Sequence, residues 1–229
     1  MKINVVTLFP VMFKSVLVES ILKRAQKSGA VEVKIHDLRE WATDKHHMVD
    51  DRPFGGGPGM VLKVDVLHGA IADLKKQNPG AKVILLSPQG EQYSQQQAEN
   101  LSQEKKLILI AGHYEGFDDR IRKYVDQEIS IGDYVLTGGE IPAMTIIDSV
   151  VRLLPGVLGD ENSASTDSFS AGGLGHPQYT RPEEFDGEKV PPVLLSGDHK
   201  KIEKWRQNQA KKRTQQRRPD LAFTKKTSL

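Results

Sequence analysis

The sequence contains no cysteine among its 229 residues. That absence excludes a disulfide framework and a thiolate metal site, and it fits a reducing compartment. Long apolar runs are missing as well, and no stretch approaches the ~20 residues a membrane helix needs. Lys2 and the uncharged run from Ile3 to Phe13 imitate the start of a signal peptide. Asn4, Thr7 and Pro10 interrupt that run, and it lacks a small-residue cleavage site, so it reads as a buried first strand. A soluble, cytoplasmic chain without a membrane segment is expected. Familiar motifs are absent too. There is no G-x-x-x-x-G-K-[ST], no G-x-G-x-x-G and no G-x-S-x-G. Their absence argues against a P-loop hydrolase, a Rossmann dinucleotide site and a hydrolase nucleophile elbow.

Charge of one sign is scarce only locally. From Asp198 to the end there are 11 Lys/Arg against 3 Asp/Glu, whereas the preceding 197 residues hold 21 against 27. A mildly acidic body with a basic C-terminal segment points to a polyanionic partner.

Short apolar runs alternate with helical patterns. Ile3–Phe9, Val31–Leu38, Lys82–Leu86 and Leu107–Ala111 read as strands, the first and last buried on both faces. From Pro10 the apolar residues Val11, Met12, Val16, Leu17, Ile21 and Leu22 predict a helix that Ser28-Gly29 ends. Further helices are expected at Val61–Gln77, Ser94–Lys105 and Asp118–Tyr124. A fifth β-like run (Ile129, Ile131, Tyr134, Val135) breaks at Gly138-Gly139, and an apolar helix follows from Pro142 to about Leu154. The fold class is therefore α/β, with a mainly parallel sheet of about five strands. Ligands bind beyond the carboxyl ends of such strands. Three of those ends carry glycine-bearing loops: Ser87-Pro88-Gln89-Gly90, Gly112-His113-Tyr114-Glu115-Gly116 and Thr137-Gly138-Gly139. If the sheet is parallel, they converge on one pocket.

Residues 40–60 are polar and glycine-rich without a clear period. Asp44, His46, His47, Asp50 and Asp51 offer donors to a metal but lack regular ligand spacing. A substrate-contact loop fits better, with Asp50 accepting from a base edge and Arg52 on a phosphate or base. Residues 160–175 are rich in Ser, Gly, Ala, Asp and Asn and read as a flexible linker. Beyond it, 176–182 and 190–194 look extended, and Asp198 is a plausible N-cap for a basic helix over 199–217. The expected division is a catalytic domain at 1–159, a linker at 160–175 and a small, mostly helical basic domain at 176–229.

Asp44-Lys45-His46, Val49–Met60, Leu86–Gly90, His113–Gly116, Ser130–Ala143, Leu154–Gly159, Asp167-Ser168-Phe169 and Tyr179–Pro182 together resemble the bacterial tRNA (guanine-N1)-methyltransferases, the TrmD family of the SPOUT class. The likeness runs from the first strand to the basic helix. It implies transfer of a methyl group from S-adenosylmethionine to N1 of guanine 37 of tRNA, a deep trefoil knot in the catalytic fold, and a homodimer whose active sites draw on both subunits. The cofactor would be held by Leu85, Leu86, Ser87, Pro88 and Gly90, by Gly112, Tyr114, Glu115 and Gly116, and by Ile131, Gly132, Asp133, Tyr134, Val135, Leu136, Gly138, Gly139 and Pro142. Asp167 matches the general base and Arg152 the arginine that stabilises O6. His46, Asp50, Arg52, Gly55, Pro58 and Gly59 would contact tRNA, as would Lys211, Lys212 and Arg213 on the basic helix. Mg2+ is a candidate aid to proton transfer, with no ligand set in the sequence to place it. His113 departs from the family pattern, where many members carry arginine. Gly175 stands where some have an acid, and Gln178 replaces a common histidine. A SPOUT enzyme acting on a ribose 2′-OH or on rRNA, and a non-catalytic nucleic-acid binder, are the competing readings. The Asp167 segment and the Asp50–Pro53 loop favour the guanine-N1 enzyme over the first, and the three intact loops argue against the second.

Overall fold

The computed structural model describes residues 1–159, 167–170 and 172–222. The first apolar run forms β1 (Lys2–Thr7), which pairs in parallel with β2 (Glu32–Asp37) on one side. On its other side lies β6 (Lys106–Ala111), followed by β5 (Lys82–Gln92) and β7 (Gln127–Ser130), all parallel. The five-stranded order is β2-β1-β6-β5-β7. Nearly continuous apolar runs suit such strands because both faces are covered. Ile3, Val5, Leu107 and Leu109 face one core, shared with helices α2 (Ser20–Lys27), α4 (Gln95–Ser102) and α5 (Glu140–Val151). Val6, Ile108 and Ile110 face the other, against α3 (Val64–Gln77). Burying each of these side chains stabilises the fold by roughly 1.5–3 kcal/mol.

Several elements differ from the sequence expectation, among them β7, which ends at Ser130 instead of running on to Val135. The helix expected from Pro10 is broken into a 3-10 turn (Pro10–Phe13), the short α1 (Lys14–Leu17) and α2. The break falls where Glu19 is extended and Ser20 has φ of 47°. Residues 40–60 are not structureless: β3 (Asp50–Asp51) pairs antiparallel with β4 (Val61–Leu62), so α3 begins at Val64 rather than Val61. β5 does not stop at Leu86. It bulges over Ser87–Gly90 and resumes pairing with β7 at Glu91 and Gln92. Pro88 cannot donate to a ladder, which is a reason for pairing to lapse there.

The chain divides into two compact units, Met1–Gly159 and Asp160–Leu229. Of the expected linker, residues 160–166 and 171 lie outside the described residues. The remainder is hydrogen-bonded within the second unit. The N–H of Phe169 donates to the Gly173 carbonyl at 2.6 Å, and that of Gly175 to Ser168 Oγ at 2.9 Å. The N–H of Leu174 donates to Oγ1 of Thr214 at 2.9 Å. Thr214 is buried on the basic helix His199–Arg217, whose N-cap Asp198 accepts from the Lys201 N–H. Val190–Leu194, expected to be extended, gives way to a helical turn at Pro192–Leu195, for which proline is well suited at the first position. Among the described residues no helix is long and apolar enough to cross a membrane.

Candidate functional site

The loops that follow the three central and edge strands meet over the carboxyl end of the sheet. They enclose a cavity of about 370 Å³, within the ~300–1,000 Å³ range of small-molecule sites. Its walls are Leu86–Gln89 from β5, Gly112–Phe117 after β6, and Ile131, Gly132 and Tyr134–Gly139 after β7, with Pro142 of α5 closing one side.

Close backbone approach makes this convergence possible. The Gly139 N–H donates to the Gly112 carbonyl at 2.7 Å, and His113 bridges Gly138. A Cβ on Gly139 would lie 2.6 Å from Gly112 N and 2.7 Å from Ala111 Cα, so only glycine fits between the two loops. Gly139 also caps α5, whose first residue, Glu140, is buried. Thr7 Oγ1 donates to Glu140 Oε1 at 2.7 Å, fastening the end of β1 to the start of the helix. A carboxylate in the first helical turn is electrostatically favoured there. Pro142, third in the helix, lacks an N–H that would have had no intrahelical partner.

The β5 side is held by a charged network. Ser87 Oγ donates to Glu128 Oε1 at 2.5 Å and accepts the Gln89 N–H at 3.0 Å. Arg122 donates to both oxygens of Glu128, at 2.8 and 2.9 Å, to Gln89 Oε1 at 2.7 Å, and to Asp119. Hydrogen bonding from Arg122, aided by Ser87, holds the Glu128 carboxyl below the usual range against the opposing effect of burial. The same bond raises the Arg122 guanidinium.

Most of the expected cofactor residues line this cavity, and three do not. Leu85 is fully buried in the core beneath it. Gly90 packs against the backbone of Glu128 and Ile129, and Asp133 points to solvent. Of the lining residues not expected to hold the cofactor, Gln89, His113 and Thr137 lie in the three named loops and Ile129 and Ser130 in the fifth run and its motif, whereas Phe117, Asp119 and Arg122 were not singled out. Arg122 carried no signal of its own, because its partners Gln89 and Glu128 belong to other elements.

The expected substrate loop is a hairpin rising from β3 and β4. His46 sits in a turn ordered by Asp44, which accepts from the N–H groups of His46 and Met48, each at 2.9 Å. Asp50 lies in β3, and Arg52, Gly55, Pro58 and Gly59 occupy the tip. The hairpin is pinned to the β6 loop. The Glu115 N–H donates to the Met60 carbonyl at 3.0 Å and the Leu62 N–H to that of Gly116 at 2.9 Å. Arg152 is the half-buried C-cap of α5. Asp167 is half-buried at the head of the turn over 168–170 in the second unit; on the basic helix of that unit Lys211 and Lys212 are exposed and Arg213 is half-buried.

The residues fit a nucleoside carrying a charged arm. Leu86, Ile131, Leu136 and Pro142 offer an apolar slot, loop backbones offer polar edges, and the buried His113 Nδ1 has no hydrogen-bond partner among the described residues.

A parallel α/β sheet with one ligand-sized cavity at its strand ends defines an α/β enzyme that holds a small molecule at the carboxyl edge. The chain matches the model of the tRNA (guanine-1)-methyltransferase TrmD family over residues 1–224. It is 58% identical over 222 residues to a tRNA (guanine-N(1)-)-methyltransferase of Geobacillus kaustophilus, covering 96% of this chain and 91% of the relative. A protein of the same name from Anoxybacillus flavithermus is 59% identical over 226 residues, covering 98% and 92%. One from Dictyoglomus turgidum is 54% identical over 229 residues, covering 100% and 92%. The chain belongs to the TrmD family and is a methyltransferase of tRNA, and membership implies S-adenosylmethionine as the methyl donor.

Proposed function

We propose that the chain methylates N1 of guanine 37 of tRNA, with S-adenosylmethionine held in the cavity formed by the three strand-end loops. The observation that carries this reading is the meeting of those loops around one space of about 370 Å³. When bound, the cofactor supplies a methyl group already activated on a sulfonium. The chain's own task is the guanine, whose N1 carries a proton at neutral pH. Asp167 takes that proton as general base. Arg152 stabilises the negative charge that then develops on O6. Ser87, Tyr114, Glu115 and the Ile131–Gly139 loop orient the cofactor, and alignment supplies much of the remaining acceleration.

His46, Asp50, Arg52, Gly55, Pro58 and Gly59 form the tRNA-facing hairpin in this account. Lys211, Lys212 and Arg213 bind phosphates from the second unit, which the local excess of basic residues supports. The active unit is a homodimer. Val11 at 81% exposure, with the exposed Met12, Val16 and Val18, leaves an apolar strip on the first unit that a two-fold partner would cover. The trefoil knot belongs to the same proposal, supported by the loop after β7 doubling back on the loop after β6. We assign no side chain to Mg2+, because the described residues hold no group of three or more His, Cys, Asp or Glu suited to a metal ion. A cysteine-free chain acting on tRNA suits the cytoplasm.

The test is methyl transfer to tRNA transcripts with guanine or adenine at position 37. Transfer to the guanine transcript alone is expected. Asp167→Asn should lower turnover at least about 100-fold while leaving S-adenosylmethionine affinity nearly intact. Equal methylation of both transcripts would refute the target, and loss of cofactor binding in Asp167→Asn would refute the base.

A further inference from the structure

Phe54 is fully solvent-exposed, at 101% of its reference area, whereas most apolar side chains of the first unit are buried. It is not on a loose end. Pro53 O accepts the Gly56 N–H at 3.2 Å, and Gly55 has φ of +89°, so residues 53–56 form a turn with Phe54 at its first corner. The backbone thus holds the ring outward. The hairpin beneath is fixed at its base by the buried Val49, whose carbonyl accepts the Lys63 N–H at 2.8 Å, and by the hydrogen bonds to the cavity-lining loop. Phe54 is therefore displayed from a hairpin hydrogen-bonded to the loop that forms one wall of the cofactor cavity.

Its surroundings select the partner. An aromatic anchor for a protein surface is normally set in an apolar patch. Phe54 is flanked by Asp50, Asp51 and Arg52 on one side and by Gly55, Gly56 and Gly57 on the other. Arg52 offers a cation to a phosphate, Asp50 and Asp51 offer acceptors to base edges, and the ring stands clear beside bare backbone, a set that matches single-stranded RNA, whose unstacked bases lie on aromatic faces.

We propose that Phe54 is a stacking platform for an unpaired base of the tRNA beside the methylated guanine. The inference rests on the tRNA reading above. Phe54 positions the nucleic acid and takes no part in the methyl transfer itself.

The test compares Phe54→Ala, Phe54→Leu and Phe54→Tyr in steady-state methylation of tRNA, with cofactor affinity and molecular mass measured alongside. Stacking on one base predicts that Phe54→Ala raises KM for tRNA about tenfold. Phe54→Leu, apolar but not aromatic, should do the same, and Phe54→Tyr should stay within about twofold of wild type. Cofactor affinity and oligomeric mass should not move. Wild-type KM in Phe54→Ala, full recovery in Phe54→Leu, or a fall in oligomeric mass would each overturn the proposal. Should the unaltered enzyme fail to methylate guanine-37 tRNA, the tRNA reading itself falls and takes this inference with it, which distinguishes the two failures.

Discussion

Glu128 shows how single residues set the shape of the cavity. It joins Ser87 of the β5 bulge to Arg122 of a neighbouring 3-10 turn, so removing its charge loosens two walls together. Its carboxyl is depressed in the folded chain, chiefly by hydrogen bonding from Arg122. The sign follows from linkage. The interaction stabilises the fold at pH values above the range of an unfolded glutamate and is lost as pH falls through the lower folded value. Glu128→Gln should therefore lower stability at pH 7 by about 1–2 kcal/mol, allowing for the partial exposure of Arg122. Thermal denaturation of the two proteins across pH checks this. The gap should narrow in acid, as the pH falls below the range of an unfolded glutamate, and a gap independent of pH would contradict the assignment. The charged trio was only partly legible in the sequence. Ser87 fell within a marked loop and Glu128 stood one residue before the fifth β-like run, but an ion pair between elements leaves no spacing to read.

At the scale of elements, glycine placement decides whether the loops can meet. Gly139 has an ordinary φ of −83°, so its demand is for space alone. A methyl group there would strike the backbone of Ala111 and Gly112, which cannot move without disturbing β6. Gly139→Ala should cost about 1–3 kcal/mol in stability and weaken S-adenosylmethionine binding. Gly159→Ala is the control, since a Cβ there meets nothing within 4 Å and its φ is not strained. Calorimetric titration and melting of both variants check this; equal behaviour would contradict it. The strands and the basic helix were legible because their apolar periodicity and the Asp198 cap are local signals. The β5 bulge, the broken first helix and the β3–β4 hairpin were not. Each depends on pairing with distant backbone, or on a backbone angle such as that of Ser20, that composition does not encode.

For the whole molecule, the sequence separates two tasks. An acidic body holds the sheet and the cavity, and the C-terminal segment carries the local excess of basic residues. Convergence of the strand-end loops was legible once the sheet was read as parallel, because topology then fixes where strand ends lie. That Leu85, Gly90 and Asp133 lie outside the cavity wall was not, because alternation within a strand and the details of a bulge decide which side chains face inward. The account depends on the cavity being the seat of the methyl donor. Its most direct test is an experimental structure with S-adenosylmethionine bound. The account predicts the ligand between Ser87, Tyr114 and Leu136, against Gly112 and Gly139; a ligand seated elsewhere on the chain would contradict it.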